Sequence, residues 1–119
     1  MRRLFAVVLV AAGASGAVAL AQDALRFDRP LFTVEGAVLC PRQTQVAAIQ
    51  RALDANNRAA ADRIITEFCK AVGADIPLTV VSRPGRYDRD VEVRAVATPD
   101  PDPAVPRGAR WTLKTMVRN

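Results

Sequence analysis

The sequence predicts an α+β fold: a disulfide-braced helical hairpin over residues 41–73, followed by a small antiparallel sheet within residues 77–118. Three observations predict it. Cys40 and Cys69, the only two cysteines, bracket two apolar stripes of helical period. Beyond Gly73 the pattern changes to short Val- and Thr-rich runs that alternate with period two. A segment carrying four of the eight prolines, Thr98 to Pro106, then interrupts the strands. The whole chain is 119 residues, which allows one domain and not several.

Residues 1–21 read as an export signal. Met1-Arg2-Arg3 is a basic head, Leu4 to Ala12 an apolar run, and Ala19-Leu20-Ala21 an A-x-A site, so cleavage is expected before Gln22. A cut after Ala14 is a second option. The competing reading, an uncleaved anchor, has 18 uncharged residues from Leu4 to Ala21, barely enough to span a bilayer. Cleavage leaves a domain over residues 22–119, with no stable membrane insertion and a periplasmic or secreted destination. Losing Arg2 and Arg3 lowers the net charge from +5 to +3. In that compartment +3 reads as solubility, so no nucleic-acid partner is expected.

Leu31 to Val34 and Ala37 to Leu39 suit one or two short strands. Pro41 fits a first helical position. Val46, Ile49 and Leu53 then line one face of a first helix, and Asp54-Ala55-Asn56-Asn57 interrupts it. Either Asn can cap the second helix, whose stripe is Ala61, Ile64, Ile65, Phe68 and Val72, with Gly73 as its C-terminal cap. Two antiparallel helices of about 13 residues return the chain to its starting level, which makes Cys40 and Cys69 neighbours. A disulfide follows from that geometry and from an oxidising compartment. A single helix from Pro41 to Val72 would hold the two sulfurs more than about 40 Å apart. A redox role lacks the C-x-x-C spacing.

In the second half, Leu78-Thr79-Val80-Val81 is a strand, Arg83-Pro84-Gly85-Arg86 a turn, and Asp90 to Ala97 a half-buried strand. Trp111-Thr112-Leu113-Lys114 alternates again, with Met116-Val117 as an extension. These runs predict an antiparallel meander of at least three strands. The order as a whole looks like that of small exported two-cysteine bacterial proteins of unassigned activity. Its last stretch, Leu78-Thr79-Val80-Val81, Val91-Glu92-Val93-Arg94 and Gly108-Ala109-Arg110-Trp111-Thr112-Leu113, is similar to the final strands of bacterial Src-homology-three-like small barrels. The resemblance implies partial closure of the sheet and a non-catalytic domain that binds peptides or cell-wall material. It lacks the Gly-Trp-Val ending and the early Asn-Val-Arg strand, and it transfers no binding residue.

Histidine is absent, which removes Ser-His-Asp and Cys-His catalysis and His-ligated metals. Two cysteines are too few for an all-protein zinc or iron–sulfur site, and no phosphate loop or nucleophile elbow is present. The remaining acid–base candidates are Glu35, Asp54, Glu67, Asp75, Asp88, Asp90 and Glu92, of which Asp90 and Glu92 share one strand face. No enzyme, cofactor or metal is therefore expected. The binding candidates are Arg83, Arg86, Tyr87, Arg89 and Arg94 around the first β-hairpin, extended by Arg110 and Trp111, as a planar-donor patch for carboxylates or phosphates. The opposing reading is a solvated tip balanced by Asp88 and Asp90, with Trp111 in the core beside Leu113. Asp100 and Asp102 mark the proline segment as a docking loop or merely a stiff connector; two carboxylates alone make a poor calcium site. These features predict a non-catalytic binding or accessory protein whose partner is an envelope protein or a cell-wall polymer. The alternative is a proteinaceous inhibitor of an exported hydrolase.

Overall fold

A computed structural model describes residues 25–119 of the chain. The predicted export signal at 1–21 lies outside the described residues. The elements are β1 (Leu31–Thr33), β2 (Ala37–Leu39), α1 (Gln43–Asp54), α2 (Arg58–Phe68), β3 (Lys70–Val72), β4 (Pro77–Ser82), β5 (Asp90–Ala95), β6 (Ala109–Leu113), a 3₁₀ turn (Lys114–Met116) and β7 (Val117–Arg118). Five strands form an antiparallel sheet in the order β6-β5-β4-β1-β7, curled into a half-barrel. β2 and β3 make a second, two-stranded sheet, tied to β6 through paired backbone bonds between Cys40 and Trp111. The fold class is α+β, as the sequence predicts. No helix among the described residues is long and apolar enough to cross a membrane.

The helices start and stop where local chemistry directs. At the start of α1, Gln45 Oε1 accepts the Arg42 N–H, one half of a capping box. Pro41 therefore precedes the cap and does not occupy the first helical position. At the end of α1, Asn56 takes a left-handed φ of 55°, and its N–H bonds the Leu53 carbonyl while the Asn57 N–H reaches Ala52. This is a Schellman closure with Asn in place of Gly. Asn57 then caps α2 by accepting the Ala60 N–H. One dipeptide thus ends a helix and begins the next.

The second helix is shorter than its apolar stripe suggests. α2 stops at Phe68, and Lys70–Val72 form β3, paired to β2 with Leu39 opposite Lys70. Cys69 is already extended, at φ −118°. Val72 sits at a helical i+11 position from Ala61, but the β2 ladder claims its backbone and its side chain enters the barrel core. Phe68, assigned to the buried face by the same stripe, is 49% exposed because the helix ends on it. The Cys40–Cys69 disulfide closes the base of this excursion, with a Cα–Cα distance of 4.4 Å.

Two apolar cores result. The first lies inside the curled sheet and includes Leu31, Leu39, Leu78, Val91, Val93 and Val117. The second lies between the helices and the outer face of the strands, and joins Val38, Cys40, Val46, Ile49, Ala61 and Leu113. β2 and the bridge residue after it alternate between them: Ala37 and Leu39 face the first, Val38 and Cys40 the second. Every residue from Ala37 to Cys40 is accordingly buried.

Thr33 is fully buried and holds the loop that enters β4. Its Oγ1 donates to Gly73 O at 2.7 Å and accepts the Ile76 N–H at 3.0 Å, while its backbone bonds Ile76 and Asp75. Asp75 adopts a φ of 66° in that loop. Thr33→Val keeps the shape and deletes both side-chain bonds. A loss of about 2–3 kcal/mol is expected, because two inward-facing backbone groups lose their partner. Urea unfolding with an unchanged m-value checks it.

Candidate functional site

The hairpin loop between β4 and β5 leans on α1 and is pinned from three sides. Asp88 Oδ2 accepts the Gly85 N–H at 2.7 Å, which shapes the turn. Lys114, in the 3₁₀ turn, donates its Nζ to Gly85 O at 3.0 Å and its backbone N–H to Arg89 O. Arg89 grips the last turn of α1 through a two-pronged pair with Asp54, at 2.8 and 3.2 Å. Between loop and helix runs a cleft of about 300 Å³, with Ala47 and Leu113 on its floor and Gln43, Gln50, Arg51 and Tyr87 among its walls.

Two hydrogen-bonded groups line the cleft. Asp54 receives hydrogen bonds from Arg89 and Gln50, and Asp90 receives them from Gln43 Nε2 at 3.1 and 3.4 Å. The Arg89 bond, followed by the Gln50 bond, holds the Asp54 carboxyl below its ordinary pKa, and Asp54 in turn raises Arg89. Because the folded value lies below the unfolded ~3.9, this contribution is complete above that pH and fades as pH falls through the folded value. Asp54→Asn is therefore expected to loosen residues 85–89 at pH 7, with the difference from the parent narrowing at a second, acidic pH. Backbone ¹⁵N order parameters of the loop at the two pH values check this.

The structure divides the predicted arginine patch. Arg83, Arg86, Tyr87 and Arg89 lie together in the loop, but Arg94 is at the far end of β5, roughly 16 Å along the strand from Arg89. Arg94 instead borders a second groove of about 650 Å³ with Ile76, Val96, Asp100, Asp102 and Arg107, beneath the proline segment. Arg110 and Trp111 do not extend the loop patch either. Arg110 lies opposite Val93 on the inward-facing side, whereas Trp111 lies opposite Glu92 and packs with Leu113 into the helix core. Side chains alternate across a strand, so adjacent residues cannot share a patch.

Three carboxylates, Asp54, Asp88 and Asp90, border the cleft, each already hydrogen-bonded, and others lie elsewhere. Glu35 accepts the Ala74 N–H, Asp75 is bonded by Arg118, and Asp54, Asp88 and Asp90 hold the loop and helix as above. Asp102 accepts the Ala104 N–H within its own turn, which stiffens the proline segment. Among the described residues no group of three or more potential metal ligands converges. Sequence reasoning missed the α1 side of the cleft. Gln43, Ala47, Gln50, Arg51 and Asp54 recur at i, i+4, i+7, i+8 and i+11, a second stripe beside the apolar one, and that spacing was the available signal. Comparison with known protein families, with curated proteins and with solved structures gives no match.

Proposed function

We propose that this chain is a non-catalytic binding or accessory protein of the cell envelope, exported by cleavage before Gln22 and acting in the periplasm or medium. The observation that carries the reading is the cleft between α1 and the β4–β5 loop, with Tyr87 at its edge 88% exposed. A large aromatic left so open on a well-braced loop is a natural recognition element. The disulfide supports an oxidising destination. The braced helical hairpin serves as the rigid wall of the site, and the curled sheet gives the partial closure that the resemblance to small barrels implies. The non-catalytic reading draws on the missing histidine and on carboxylates tied to loop backbone and to arginines. Retention of the chain on isolated cell wall or envelope fractions, weakened by Tyr87→Ala with the fold intact, is the expected result. Equal retention of parent and variant, or none of either, overturns the assignment.

A second reading has its own observation. The proline segment exposes every residue from Val96 to Ala104 and is stiffened by the Asp102 turn, a shape suited to plugging the active site of an exported hydrolase. Inhibition assays with wall hydrolases and proteases, against a variant whose residues 98–106 are replaced by a Gly-Ser linker, separate this from the first reading.

A further inference from the structure

The geometry points to an uncharged polyhydroxylated ligand, a short stretch of neutral glycan, as the occupant of the cleft between α1 and the β4–β5 loop. This rests on the binding role proposed above and narrows its chemistry. The arginines in the sequence suggest an anion, but the cleft itself presents charges of both signs. The cleft is lined by two cations, Arg51 and Arg89, and three carboxylates, Asp54, Asp88 and Asp90. Arg89 is committed to Asp54, and Arg86, beyond the lining, lies 5.8 Å from the Tyr87 ring centroid. A phosphate or carboxylate would therefore meet acid as well as base, and an ammonium would meet the guanidiniums. What stays unused is hydrogen-bonding capacity of both kinds. The Gln43 and Gln50 carbonyl oxygens, the second Asp88 oxygen, the Arg51 guanidinium and the Tyr87 hydroxyl have no partner among the described residues. A hydroxyl both donates and accepts, so a polyol satisfies such a mixed set where an ion satisfies only one half of it. The apolar floor of Ala47 and Leu113 and the open Tyr87 ring supply flat surface for the C–H face of a sugar ring.

Three tetrasaccharides of matched length test this on the full chain by NMR titration: the N-acetylglucosamine tetramer (neutral), the glucosamine tetramer (cationic) and the galacturonate tetramer (anionic). The expected result is saturable binding of the neutral tetramer, with shifts at Gln43, Gln50 and Tyr87 that change little between 20 and 300 mM salt. Tyr87→Ala should weaken binding about tenfold, while Tyr87→Phe retains most of it. Gln50→Ala provides a second variant that leaves the Arg89–Asp54 pair in place. Binding of only the charged tetramers with steep salt dependence overturns the inference, as does neutral binding indifferent to Tyr87→Ala, or no saccharide binding at all. If the chain still binds isolated wall through Tyr87 while no tetrasaccharide binds, the neutral-glycan assignment falls and the binding role stands. Loss of wall retention as well removes both.

Discussion

Cys40→Ala/Cys69→Ala is expected to lower stability by about 3.5 kcal/mol, from loop-closure entropy over a 29-residue separation. For a domain of this size that corresponds to a drop in Tm of roughly 15–25 °C, a large share of the ~5–15 kcal/mol typical of small proteins. Alanine is the fair replacement because Cys40 is fully buried in the helix core, where a serine hydroxyl would add its own desolvation cost. The loss should be unevenly distributed. Hydrogen exchange should accelerate most in α1 and α2, which the bond closes into one loop, and least in the β4-β5-β6 meander. Equal stability of the oxidised and disulfide-free proteins would show that apolar packing alone holds the excursion.

Leu39→Ala is the second large effect, about 3 kcal/mol. Leu39 is 2% exposed and fills the barrel core beside Leu31 and Leu78, on a strand hemmed in on both faces. Its neighbours are anchored in the other core, so β2 cannot shift to close the cavity. The two-core arrangement adds a sharper expectation. Leu39→Ala and Ile49→Val lie in different clusters and should combine almost additively, whereas Leu39→Ala and Leu78→Ala share a cavity and should not. Denaturant melts of the single and double variants decide it.

Much of this architecture is legible in the residues because it rests on local signals. The change of period at Gly73, the Asn56-Asn57 interruption and the two cysteines yield the α+β class, both helices and the disulfide. What escapes depends on distant partners. The stripe of α2 runs on to Val72, and only the ladder with β2 turns its last three residues into β3. The same holds for the site. The Arg83–Arg94 series looks continuous along the chain, yet strand length and alternation send Arg94, Arg110 and Trp111 elsewhere. Asp54 and Asp90 look like spare carboxylates until Arg89 and Gln43 are seen beside them. Their roles come from side chains 35 and 47 residues away, a separation that periodicity does not reach.

The placement of Trp111 gives the protein a built-in optical reporter. It is the single tryptophan of the chain, and it lies at the seam where the helices rest on β6. Its emission therefore reports on the docking of the helix pair against β6. Compared with far-ultraviolet dichroism, that one unlabelled fluorophore tells whether the two cores part together or in turn.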